Sequence, residues 1–261
     1  KIFTKTNREM SAREIETIEI ENVESFLEEM VPQLGFQRTP VYRGHASMNW
    51  KLLPGLFREK LEQTEFPSWS ELEGALLMRL KQRARGELGY EPTTELEWMS
   101  TAACHGLPTR FSAWTENALV ALYFATAPSC DDDGVVWRIL PGDSSLVISQ
   151  DYEQLPERPR LYLPQKTTPA MLNQKTCFLS HPLPAENAVP ESFEEHYELG
   201  DDRLHLTRIA IPAEEKGFIR RRLATMGIDA HSLFPGLNGL CAQIRDEVYC
   251  HTDSYEWVFP G

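Results

Sequence analysis

The sequence predicts an α+β fold: one domain with a small split sheet, mixed or antiparallel, surrounded by helices. Two observations predict it. Several segments carry apolar residues at helical spacing behind recognisable caps, and short β-rich runs stand between them. The chain also has 261 residues, 41% of them hydrophobic, enough to fill a single elaborate core. No internal repeat or low-complexity tract divides it. Residues 1–37 read as an N-terminal segment with a helix, and 38–261 as one globular unit.

The elements follow in order. Residues 1 to about 18 are polar and expected to be peripheral. A helix is predicted over Val23 to Met30, where Phe26 and Met30 stand four apart on one face. Thr39-Pro40 breaks it, and Val41-Tyr42 starts a short strand ending at Arg43-Gly44. Ser70-x-x-Glu73 reads as a capping box opening a helix over 70–86, with Leu72, Leu76 and Leu80 on one stripe. Thr94-x-x-Glu97 opens a second over 94–104, and Gly106 and Pro108 end it. The stretch from His105 to Thr115 reads as a loop. It feeds Ala118-Leu119-Val120-Ala121-Leu122-Tyr123-Phe124-Ala125, a helix with no polar face and therefore a buried one. After the turn Asp131-Asp132-Asp133-Gly134, strands are predicted over 135–140, 176–180 and 205–211. The Pro-rich stretches 141–175 and 182–200 read as loops, an insertion or a lid. Helices over 213–226 and 238–248 close the chain.

Composition excludes several classes. Net charge is −13 with a pI near 5.1, which argues against gripping a nucleic-acid backbone. Arg220-Arg221-Arg222 is a local basic cluster, read as a solvated helix face. Five cysteines without a C-x-x-C spacing argue against a structural zinc site, and no metal site is expected. No secretory leader and no run of membrane-spanning length is present, so reduced thiols in a cytoplasm are expected. There is no Gly-x-Ser-x-Gly, P-loop or dinucleotide glycine fingerprint.

Two motifs are dense in unusual residues. The first is Tyr42-Arg43-Gly44, followed by Trp50-x-Leu52-x-Pro54-x-Leu56-x-Arg58. The second is Gly106-Leu107-Pro108-Thr109-Arg110, then Trp114-Thr115 before the apolar helix. A third block, Met226-Gly227-Ile228 and Leu233-Phe234-Pro235-Gly236-Leu237-Asn238-Gly239-Leu240, comes late. Together they resemble the FRG domain over roughly residues 38 to 242. That family usually has Gln-His-Tyr or Gln-His-His where Ala103-Cys104-His105 stands, and Leu-Leu-Asp where Phe111-Ser112-Ala113 stands.

The motif order is in turn distantly similar to the mono-ADP-ribosyltransferases. This similarity implies a sheet-and-helix fold of that kind and NAD as the substrate-like cofactor. The FRG resemblance implies a role as an effector or toxin in bacterial antiviral defence, acting on a protein target or with a partner. The alternative is a non-enzymatic sensor or interaction module with a degenerate site. The implied catalytic set is Arg43, Thr115 and Gln174, and the implied NAD-binding set is Tyr42, Gly44, His105, Arg110 and Trp114. The chemistry is coherent. A rigid guanidinium suits a pyrophosphate. A glycine lets backbone approach a ligand, and Trp114 or Tyr42 can stack on nicotinamide. Cleavage of the nicotinamide–ribose bond develops positive charge that Gln174 can stabilise, oriented by the Thr115 hydroxyl.

Structural readings stand beside these. Arg43 can pair with a buried carboxylate, Arg110 can bridge its loop to a neighbour, Thr115 can cap the following helix, and Trp50 and Trp114 can be core. His105 suits a helix C-terminus, and Glu247 is a rival acid. Arg43, Gly44, Arg110, Trp114 and Thr115 are expected to meet around one concave pocket.

Overall fold

The computed structural model describes residues 15–30, 39–128, 131–141, 158–165, 167–185, 188–197 and 204–249. Its strands are β1 (Glu16–Glu19), β2 (Val41–His45), β3 (Phe111–Thr115), β4 (Gly134–Pro141), β5 (Arg160–Tyr162), β6 (Thr176–Ser180) and β7 (Leu204–Ile211). They form one seven-stranded sheet in the order β1-β7-β4-β2-β3-β6-β5. Only the β1–β7 pair among them is parallel. The α+β expectation holds, but the sheet is larger than the small one expected.

Three strands escaped the sequence. The segment read as a loop after His105 becomes β3 from Phe111, in the middle of the sheet with five registered pairs to β6. β1 lies in the polar stretch read as peripheral and pairs with β7 as an edge strand. β5 lies within the Pro-rich stretch read as loop; residues 142–157 of that stretch fall outside the described residues.

The join between β2 and β3 is narrow: a single pair, Tyr42 with Thr115, is in register. The sheet therefore has two halves, β1-β7-β4-β2 and β3-β6-β5. Registered partners point to the same face. On the face shared by Tyr42 and Thr115, two separate core clusters cover the halves. One gathers α1 (Val23–Met30), α4 (Ala118–Ala125) and α7 (Lys216–Thr225) over the first half. The other gathers α2 (Trp69–Arg83), α3 (Glu95–Cys104) and α5 (Pro169–Asn173) over Phe111, Tyr162 and Phe178 of the second. On the opposite face one cluster runs across both halves, from Val41 and Trp137 to Trp114 and Leu179, with Phe193 of α6 (Phe193–Tyr197) against it.

The caps explain where the helices begin. Thr94 and Glu97 form the predicted capping box of α3. The cap predicted at Ser70 is instead two residues earlier: Ser68 caps α2 by accepting from the Glu71 N–H. Glu73 is thereby freed from capping and faces inward, 2% exposed. Asn117, not Thr115, caps α4 by accepting from the Leu119 N–H at 3.0 Å. The predicted helix over 213–226 is a 3-10 turn, Ala213–Glu215, followed by α7. The last predicted helix is α9 (Leu237–Tyr249), preceded by the short α8 (Ala230–Leu233).

Gly44 is required by packing. A Cβ there would stand 1.9 Å from the Ala121 carbonyl oxygen and 2.7 Å from the Ala125 nitrogen, so α4 lies directly on the β2 backbone. This is a different use from the one expected, which was to admit a ligand.

Candidate functional site

Where β2 and β3 cease to pair, a cleft of about 240 Å³ opens. Tyr42, Arg43 and Gly44 line it from β2, Thr115 from β3, Phe124 from α4 and Gln174 from the turn before β6. Six of the eight predicted site residues border it, because Trp114 also contributes to its wall.

Arg43 is held by a short relay. Its Nε donates to His45 Nε2 at 2.8 Å, and His45 Nδ1 faces the Trp50 carbonyl at 3.2 Å. An imidazole that accepts at Nε2 carries its proton on Nδ1, which then donates to that carbonyl. Burial, with the charges of Arg43 and Arg58, pushes His45 down to about 3, so the ring is neutral at neutral pH. Arg43 Nη1 donates to the Ala113 carbonyl across the gap between the half-sheets. Among the described residues no carboxylate pairs with Arg43. Burial and then the neighbouring Arg58 lower its guanidinium to about 9. Arg43 is therefore a fixed cation at the join whose Nη2 has no protein partner among the described residues, and as the strand neighbour of Tyr42 it projects to the opposite face, the one that carries Trp137.

Thr115 donates from Oγ1 to the Gln174 carbonyl at 2.6 Å and accepts from the Asn117 N–H at 2.9 Å. It locks the start of the α4 segment to the turn that carries Gln174. The Gln174 side chain donates through Nε2 to the Leu233 carbonyl at 3.1 Å. Its Oε1 is left without a protein donor among the described residues.

Two predicted residues are elsewhere. Arg110 is 8% exposed and bound to Glu73: Nη2 meets Oε2 at 2.5 Å, and the Arg110 backbone N–H donates to Oε1 at 2.7 Å. It fastens the start of β3 to α2. His105 is the exposed C-cap of α3.

Trp114 borders the cleft but is 3% exposed, with Nε1 donating to Ser112 Oγ and its ring against Phe193 on the opposite face. Adjacent residues of a strand point apart, so Trp114 and Thr115 cannot both present side chains to the cleft. The aromatic side chains placed there are Tyr42 and Phe124, with Phe234 against Phe124 at 6.1 Å between centroids. Trp50, read as core, is 48% exposed.

His45 and Phe124 were not selected from the sequence. His45 stands two residues after Arg43 in the same strand, on the same face, a signal that was available.

A larger groove of about 700 Å³ lies among α7, α8 and α9, over Tyr123. Glu247 lines it, away from the cleft. Of the basic cluster there, Arg221 and Arg222 are exposed as expected, but Arg220 is 9% exposed, lies 4.1 Å over the Tyr123 ring and pairs with Asp246 at 2.6 Å.

Residues 38–134 match the family model of the FRG domain. Over that segment the chain is similar to the FRG domain. No curated protein and no solved structure matches it. The matched FRG segment contains the relay, the Arg110–Glu73 pair, Thr115 and Phe124. Gln174 reaches the cleft from outside that segment, and Phe234, also outside it, stands against Phe124. No helix among the described residues is long and apolar enough to cross a membrane.

Proposed function

We propose that the cleft at the join of the half-sheets binds NAD, and that this FRG protein is an ADP-ribosyltransferase-like effector or toxin of a bacterial antiviral defence system acting on a protein target. The observation that carries the reading is Arg43. It is an immobilised guanidinium with no carboxylate partner among the described residues, held in the join that the cleft opens on, and it enters from the face opposite to Tyr42 and Thr115. A cation so placed has its natural partner in an anion from solution, and a pyrophosphate fits it. The volume of about 240 Å³ suits one end of a dinucleotide, the nicotinamide riboside, with the pyrophosphate at the Arg43 rim. There the free Oε1 of Gln174 can accept from a ribose hydroxyl or face the positive charge that grows as the nicotinamide–ribose bond breaks. Thr115 acts through Gln174, since its hydroxyl is spent on the Gln174 carbonyl.

A second reading has its own support. Among the described residues no carboxylate lines the cleft, so no general acid or base of that kind faces the ligand from them. This favours a sensor or interaction module that binds the nucleotide without turning it over. One experiment separates the readings. Millimolar NAD should raise the melting temperature, since a ligand at 100 times its Kd adds about 2.7 kcal/mol to the folded state. Nicotinamide release is followed in the same samples. Stabilisation with release supports the transferase, and stabilisation without release supports the sensor. No stabilisation removes NAD from the cleft.

A further inference from the structure

The late block Leu233–Leu240 has no part in the reading above, yet the fold brings it to the cleft. Two lining residues touch it. Gln174 Nε2 donates to the Leu233 carbonyl, and the Phe124 ring meets the Phe234 ring at 83°, edge to face. Asn173 adds a third tie, its Nδ2 donating to the Ser232 carbonyl at 2.6 Å. The block's own glycines fix its shape. Gly236 has φ +106°, open to glycine and strained for other residues. A Cβ on Gly239 would stand 1.7 Å from the Phe234 carbonyl oxygen. Phe234 is thus mounted on a tight, pinned turn while its side chain remains 40% exposed. A large apolar ring left half in water, on rigid backbone beside a cleft, offers a flat face without an entropic penalty for ordering it.

We propose that Phe234 is the wall against which a planar heteroaromatic ring of the ligand stacks, and so sets the preference for a ring-bearing nucleotide. This rests on the NAD reading. The ring can be nicotinamide or adenine, and both have the same stacking chemistry.

The test titrates the wild type, Phe234→Ala, Phe234→Leu and Phe234→Tyr with NAD, ADP-ribose and nicotinamide mononucleotide by calorimetry, with circular dichroism to verify the fold. Phe234→Ala should weaken binding of the ligands carrying the stacked ring by about tenfold or more, in the range of base-on-aromatic stacking. Phe234→Leu, which keeps apolar bulk, should show the same loss should the Ala variant fail to fold. Phe234→Tyr should bind as the wild type does. Loss for NAD and nicotinamide mononucleotide, with ADP-ribose unchanged, assigns the ring to nicotinamide. Loss for NAD and ADP-ribose, with the mononucleotide unchanged, assigns it to adenine. Wild-type affinity for all three in folded Ala and Leu variants overturns the proposal and leaves the NAD reading intact. A wild type that binds none of the three overturns both.

Discussion

Two arginines look alike in the sequence and differ in the fold. Arg110 is half of a buried ion pair, and Glu73 accepts from both its backbone and its side chain. Glu73→Ala would leave a buried guanidinium uncompensated and should cost about 3–5 kcal/mol in urea unfolding. Arg43 has hydrogen bonds to a ring nitrogen and a carbonyl but no ion pair among the described residues. Arg43→Ala should cost less, about 1–3 kcal/mol, the penalty of stranding two acceptors. Arg43→Lys keeps the charge and loses the planar fork. It should abolish the NAD-induced thermal shift while the protein still folds, and an unchanged shift would remove Arg43 from the ligand site. His45 gives a pH signature. Its folded value of about 3 lies below the ordinary 6.5 of an unfolded chain. Between those values the unfolded chain binds a proton that the folded ring refuses. The stabilisation is therefore complete above about pH 6.5 and is lost as pH falls toward 3, by up to about 1.4 kcal/mol per pH unit. His45→Gln can still accept from Arg43 and has no such proton. Its stability should fall less steeply from pH 6 to pH 5 than that of the wild type, and equal slopes would place His45 outside the relay.

At the scale of elements, α4 is held by what β2 lacks. Gly44→Ala would drive a methyl into backbone atoms of α4, which cannot swing away as a side chain can. A loss of at least about 1–3 kcal/mol is expected, with the cleft distorted. Gly74→Ala in α2 is the control. Nothing lies within 4 Å of the added methyl, so it should stabilise by about 0.5–1 kcal/mol. Equal melting temperatures for the two variants would mean that α4 does not sit on Gly44 as described. The elements also show what was legible in the sequence. α3 and α4 were readable because one has a complete capping box and the other no polar face. The start of α2 was not, because Ser68-Trp69-Ser70-Glu71-Leu72-Glu73 offers two Ser-x-x-Glu boxes, and only Arg110, 37 residues away, decides which glutamate turns inward. β3 was hidden because Phe111-Ser112-Ala113-Trp114-Thr115 is short and holds small polar residues; its partner β6 makes it a strand. Missing β3 also blurred the site. Read as a strand, Trp114 and Thr115 must face opposite ways, and the stacking role for Trp114 disappears. Tyr42, Arg43, Thr115 and Gln174 were found because each lies in or beside a motif at the end of a sequence element. Their convergence depends on a strand order that no local pattern carries.

At the scale of the molecule, the cleft is a consequence of how two half-sheets are joined. One face carries a continuous core across the join. The other carries two clusters that do not merge, and the cleft lies where they part. A single registered pair and the Arg43–Ala113 bond cross the gap from strand to strand. The join has one registered pair where β2–β4 and β3–β6 have five each, and local opening there should be less costly than in β4 and β7, which share eight. A ligand seated in the cleft touches Tyr42 on one half and Gln174 on the other, so it must favour the closed join over the open one. By mass action the gain is about 2.7 kcal/mol at 100 times the Kd, close to a hundredfold in the opening equilibrium. Saturating NAD should therefore slow amide hydrogen exchange in Val41–His45 and Phe111–Thr115. It should leave Leu204–Ile211, on the far side of β4, nearly unchanged. Protection spread evenly over all strands would mean that the ligand stabilises the domain as a whole. Protection confined to α7–α9 would place it in the larger groove and leave the join without a function.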